Sequence, residues 1–177
     1  KVGKLVGDEL ARNSLIALAL GLAGIFVYVA ARFEISFAVA AIIALLHDVI
    51  LTMGAFALFD REISLIIIGA VLTIAGYSIN DTIVVFDRIR EGIRNGEAGS
   101  LEAIMNRSIN DTLSRTLITS GTTLIVVFVL LLFGGEVLRG FSFALFVGIV
   151  IGTYSSIFVA APIVVDFDTK KKEAGKA

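Results

Sequence analysis

One carboxylate stands where charge is expensive. Asp81, flanked by Asn80 and Thr82, lies near the far end of an apolar run that opens at Ile63 and is long enough to cross a bilayer. Even lenient insertion scales put the cost of an ionised carboxylate there at about 2.5–3.5 kcal/mol. Protonation removes most of that cost, so a carboxyl in this position is suited to binding and releasing protons. The bland alternative is a structural hydrogen bond to a neighbouring helix. Arg115 opens the next apolar run. At about 1.5 Å per residue, Asp81 lies about 10 Å from the middle of its run near Ile74, a depth that Arg115 can reach. An Asp81–Arg115 pair, direct or through water, is one expectation. An arginine that snorkels to lipid phosphates is the other.

Further polar residues interrupt the apolar runs. Tyr77, Ser78 and Val85 share a helical face with Asp81. Thr116, Thr119, Ser120 and Thr123 follow one face of the next run in the same depth zone. They read either as a wall of a shared polar pocket or as hydroxyls bonded back to their own backbone. His47 and Asp48 break another run near its middle. A neutral histidine paired with a carboxyl can relay protons. Adjacent helical residues point about 100° apart, which predicts different neighbours for the two. Asp48 is then a second titrating group or the partner of a polar group on an adjacent helix. Gly148 and Gly152 belong to a small-residue repeat, Ala144, Gly148, Gly152, Ser156 and Ala160, that lets another helix backbone come close. Tyr154 and Ser155 lie beside it, and Pro162 predicts a kink near its end.

These residues need elements to position them. The chain has 177 residues, is 57% hydrophobic and has a mean hydropathy of +0.95. Soluble domains are nearer about 45–50% apolar, so the excess, gathered in runs, marks a membrane protein. Five spans are expected, at about 15–31, 37–59, 63–86, 116–133 and 141–165. Each has the length a crossing helix needs, and none shows the alternation of a β-barrel strand. The predicted fold class is all-α, a polytopic transmembrane helix bundle. Tight turns are expected at 32–34 and 60–62 and a short loop at 134–140.

Positive charge sets the orientation. One side receives Arg32, Arg88, Arg90, Arg94, Arg107, Arg115, Lys170, Lys171, Lys172 and Lys176, the other only Lys1, Lys4, Arg12, Arg61 and Arg139. The first is cytoplasmic by the positive-inside rule, which leaves the N-terminus outside and the tail, 166–177, inside. The cytoplasmic connection, 87–114, extends the third helix, with Arg88, Arg90 and Arg94 available to lipid phosphates. Leu101, Ile104, Met105 and Leu113 then suggest a short amphipathic helix on the membrane face, or a solvated loop helix. SINDT occurs at both Ser78 and Ser108, which reads as coincidence.

Several function classes fall away. A net charge of −1 offers no field for nucleic acid. The lack of cysteine and the single histidine leave a zinc site short of ligands. An intramembrane aspartyl protease needs a GxGD-like site, but the contexts here are LLHDV and SINDT. A serine type needs a later histidine, and the one histidine lies far upstream of Ser120. A non-conducting scaffold that only assembles partner subunits accounts for the glycine face and accounts poorly for Asp81. The start at Lys1, without methionine or a signal-like region, reads as a piece of a longer protein.

The segments VGDEL (6–10), ARFE (31–34), ALLHDV (44–49), GYSINDTIVVFDRIRE (76–91), SRTLITSGTT (114–123), LFGGEVLRGFSF (132–143) and GTYSSIFVA (152–160) occur in order over nearly the whole chain. Together they resemble the SecF family, which with SecD forms an accessory complex of the bacterial Sec protein-export channel. The resemblance implies half of a resistance–nodulation–division (RND) type membrane domain. This chain would supply helices two to six of that half. A first helix and an extracytoplasmic domain would precede Lys1. It implies SecD as the other half, the SecY/SecE/SecG channel and YajC as partners, and an exported polypeptide held by domains outside this chain. It also implies residence in the bacterial inner membrane and use of the proton motive force. No reaction on a substrate and no cofactor are implied, and sodium is the alternative coupling ion. In that family the aspartate of the NDT motif and the arginine of the SRT motif are tied to proton conduction; here these are Asp81 and Arg115.

Overall fold

A backbone in hydrocarbon must satisfy its own hydrogen bonds, and these runs do so as helices. The computed structural model describes residues 4–174, with the side chains of residue 9 and of 12–167 apart from 65. Six α-helices follow in order: α1 (Lys4–Arg32), α2 (Ile35–Leu58), α3 (Leu65–Arg94), α4 (Leu101–Phe133), α5 (Gly135–Ser155) and α6 (Ala161–Ala174). A π-helical turn, Ser156–Ala160, joins the last two. Among the described residues there is no strand. Five stretches are long and apolar enough to cross a membrane, the fifth running through α5, the π turn and α6 to Phe167. The chain is a multi-pass, all-α bundle, as its sequence predicts.

Helix α5 is the hub and packs against α2, α3 and α4, whereas α1 leans on α2 and α3. The small-residue repeat explains this. Ala144, Gly148, Gly152, Ser156 and Ala160 are all buried. A Cβ on Gly148 would meet the Ile74 side chain at 2.5–2.8 Å, and one on Gly152 would lie 3.0 Å from Ser78 Cβ. Two apolar clusters close the ends of the bundle. One gathers Phe33, Phe37 and Phe86 with Met105 and Val164; the other gathers Phe56, Ile67, Ile74, Val127 and Ile149. The buried polar residues Asp48, Ser78, Asp81, Ser120 and Ser155 form a layer between them in chain order.

Two connections are much shorter than expected, whereas the turn expected at 60–62 occupies residues 59–64. Helix α3 runs on to Arg94 and α4 already begins at Leu101, so residues 95–100 form the whole turn. The separate amphipathic helix expected over 101–113 is the first part of α4. Nothing breaks the helix there, because Ser108 and Thr112 donate to the carbonyls of Ile104 and Ser108. Its apolar face is covered by the protein: Ile104 and Met105 are buried. The loop expected at 134–140 shrinks to Gly134, and α5 opens at once with Gly135 at φ +72°. The kink expected at Pro162 takes the form of the π turn just upstream. That wider turn accommodates a ring that would crowd the carbonyl of Phe158. The tail lysines Lys170, Lys171, Lys172 and Lys176, with Lys1 and Lys4, lie outside the described side chains.

Candidate functional site

Helix α3 turns Ser78, Asp81 and Thr82 inward on one face and leaves Asn80 exposed on another. Asp81 is 4% exposed. Its Oδ2 accepts from Ser120 Oγ of α4 at 3.3 Å. Ser120 lies 2.7 Å from Thr153 Oγ1 of α5, and Thr153 also donates to the Ile149 carbonyl at 2.8 Å. Ser120 has one proton. With Thr153 committed to Ile149, that proton is shared between Thr153 and a long contact to Asp81. Asp81 is therefore a buried carboxyl with one weak donor, and no ion pair joins it among the described residues.

Arg115 does not form the direct pair that was one expectation. It is exposed, yet close enough to Asp81 to be felt electrostatically. It lines a cleft of about 550 Å³ with Arg32, Arg88, Arg90 and Arg94. Arg88 is held by Asp111 at 2.6 Å and Glu91 at 3.0 Å, and Arg90 donates to the Arg32 carbonyl. Of the three arginines expected to meet lipid phosphates, Arg94 alone has no such partner among the described residues. The Arg115 guanidinium likewise has no hydrogen-bond or ion-pair partner among the described residues.

The other predicted polar residues divide. Thr119 donates back to the Arg115 carbonyl and Thr82 to that of Ser78, so both satisfy themselves. Thr123 donates to the Thr119 carbonyl and also accepts from Tyr77 at 3.3 Å. The face of α4 is thus both a polar wall, at Ser120, and a set of self-bonded hydroxyls. His47 and Asp48 touch each other but otherwise go to different neighbours, with Asp48 turned to two other helices and His47 to the outside of the bundle. His47 Nδ1 lies 3.0 Å from Asp48 Oδ1. Asp48 is wholly buried, and its Oδ2 accepts from Ser78 of α3 and from Ser155 of α5, the latter at 2.8 Å. Gly152 makes this possible, since a Cβ there would crowd Ser78 and come within 3.5 Å of Asp48 Oδ2.

Thr153 was missing from the sequence reading, and Ser78 and Ser155 were noted without their partner. All three follow the glycine face or share the face of Asp81, which was the available signal. What no spacing conveys is which helix each one meets. The arrangement sets two carboxyls in contrast. Asp48 has three polar neighbours, whereas Asp81 has one. Among the described residues no group of acids and histidines could hold a metal ion.

One face of α3 is left without a partner. Gly69, Thr73, Gly76 and Asn80 are exposed at helical spacing, and nothing lies within 4 Å of a Cβ built on Gly69 or Gly76. Thr73 bonds back to Gly69, while Asn80 has no partner among the described residues. A bare carboxamide within a membrane helix calls for a polar partner.

A family model described as the C-terminal region of protein export membrane protein SecD/SecF matches residues 1–170. The protein translocase subunit SecF of Rhodothermus marinus is 56% identical over 171 residues, covering 93% of this chain and 56% of that protein. SecF of Koribacter versatilis is 52% identical over 99% of this chain and 44% of its own length. The chain thus spans about half the length of these relatives. SecDF of Thermus thermophilus is 50% identical over 99% of this chain and 24% of that protein. A solved SecDF structure, a translocon-associated membrane protein from Thermus thermophilus, has a TM-score of 0.91 over 95% of this chain and 23% of its own, at 50% identity. A second, in a super-membrane-facing form, gives 0.89 over 96% and 23%. The family model covers all but the last few residues, and the chain therefore belongs to the SecD/SecF family of protein-export membrane proteins, as part of its C-terminal membrane region.

Proposed function

We propose that this chain is the membrane part of a SecF-type subunit that pairs with SecD. Together they use the proton motive force to help draw polypeptides through the Sec channel. The observation that carries this reading is Asp81, a buried carboxyl between α3 and α4 with one weak donor. Such a group binds a proton readily when the site is dry and loses it when water or Arg115 comes near. Transport follows if the two forms prefer different helix packings, because only a difference in proton affinity between conformations couples the ion to motion. Ser120 and Thr153 link Asp81 to α5, and the glycine face of α5 is where a change in packing against α3 would be felt. Protons are the coupling ion in this reading, and sodium is the competitor to be tested. No reaction on a substrate is involved.

The bare face of α3 supports a partner half. Gly69 and Gly76 leave room for a helix backbone, and Asn80 offers its polar contact. SecD fits this place, since the Thermus thermophilus relative is named SecDF. The SecY/SecE/SecG channel, YajC and the exported polypeptide would be met by the whole complex in the bacterial inner membrane. Stimulation of export in inverted vesicles holding that complex tests the reading. Asp81→Asn should abolish stimulation by an imposed proton gradient at fixed sodium, with assembly intact. Unchanged stimulation would leave a non-conducting scaffold in its place.

A further inference from the structure

Asp48 and His47 form a dyad that the reading above does not use. The carboxylate is wholly buried and fixed by Ser78 and Ser155, donors from two other helices. Its second oxygen faces His47 Nδ1 at 3.0 Å. The imidazole side chain is 31% exposed, and Nε2 has no partner among the described residues. A polar nitrogen near mid-membrane needs water or a polar partner, so the outer edge of this ring faces a hydrated or polar space. A carboxylate that holds one ring nitrogen sets the tautomer and stabilises the imidazolium.

We propose that His47, oriented by Asp48, is a second proton-binding group of the transport cycle, with Asp48 as its fixed anion. This deepens the proton-coupling reading and rests on it. His47 takes a proton at Nε2 while its Nδ1–H stays with Asp48, so the pair passes from one negative charge to none. Release is the reverse. The pair lies close to Asp81: Ser78, which holds Asp48, is one helical turn from Asp81 on α3. Ser155, which also holds Asp48, is two residues from Thr153 on α5. A change of charge at the dyad therefore loads the same α3–α5 seam that Asp81 loads. The titratable groups around it are few. Asp81 and Tyr77 lie on α3, with Tyr77 turned to Thr123, and Tyr154 on α5 is exposed. No arginine or lysine pairs with Asp48 among the described residues.

The test uses the full SecD-containing complex in lipid. Nitrogen-15 histidine spectra identify His47 as the signal lost in His47→Gln. That signal should pass between neutral and doubly protonated forms from pH 8 to pH 5, and should stay neutral over that range in Asp48→Asn. Export stimulation in His47→Gln should fall about tenfold and lose its pH dependence in that range, with the complex assembled. An imidazole that stays neutral in the wild type, or a His47→Gln complex with an unchanged rate and pH profile, would overturn the proposal. If Asp48→Asn does not assemble, the His47 spectrum and the glutamine variant still decide. Loss of stimulation in Asp81→Asn alongside normal His47→Gln would end this inference and leave the Asp81 reading standing. Normal stimulation in both would end both.

Discussion

Ser120→Ala is the mildest way to ask how Asp81 is held. It removes the long 3.3 Å bond to Asp81 and the 2.7 Å bond to Thr153, whose hydroxyl stays bonded to the Ile149 carbonyl. The loss should be about 1 kcal/mol or less by thermal unfolding, with proton-driven export slowed about fivefold or less. A loss as large as that of Asp81→Asn would mean that Ser120 is itself part of the proton path. Ser155→Ala strips a charge-assisted bond from a wholly buried carboxylate, and should cost more, about 1.5–3 kcal/mol. Equal melting of the two variants would contradict the contrast between the acids. Asp81, Arg115 and Ser120 were legible because a membrane makes polar residues conspicuous. Their pairing was less so. Arg115 stands off in an arginine-lined cleft, and Asp48, read either as a second titrating group or as the partner of a polar group on an adjacent helix, has the better-furnished site. Hydrogen bonds between helices depend on rotation and register, which spacing along one helix does not fix.

Among the elements, α5 decides how tightly the bundle closes. Gly148→Ala would drive a methyl into Ile74 and should destabilise by about 1–3 kcal/mol. Gly121→Ala on α4 meets nothing within 4 Å and should change stability by no more than about 0.5 kcal/mol. Matched melting of both variants in lipid would show that the glycine face is not a close seam. The seam itself was readable from the four-residue repeat of small side chains. The continuity of α4 was not. Residues 101–113 read as a short helix separate from the fourth span, yet each hydroxyl that bonds back to its own helix removes the need for a break. The π turn was legible only as a proline whose ring had to be accommodated.

At the scale of the molecule, the five spans are half-clothed. Helix α1 presents Leu15, Leu20 and Val27 outward, and α3 shows the face of Gly69, Gly76 and Asn80. Gly76→Leu fits the chain alone, since nothing lies near it. It should lower the yield of co-purified SecD several-fold while leaving the melting of this subunit unchanged. Undiminished co-purification would place the partner elsewhere. The class of the fold and the count of spans followed from hydropathy, and the family from motifs in order. The side of the membrane each end occupies rests on arginine placement. The central claim is that Asp81 carries the ion, and proton flux tests it most directly. With the complete complex in liposomes, a pH-sensitive dye inside and an imposed gradient, the wild type should acidify the lumen well above the rate of empty liposomes. Asp81→Asn should fall to the empty rate with assembly intact. Flux in Asp81→Asn equal to that of the wild type would contradict the account.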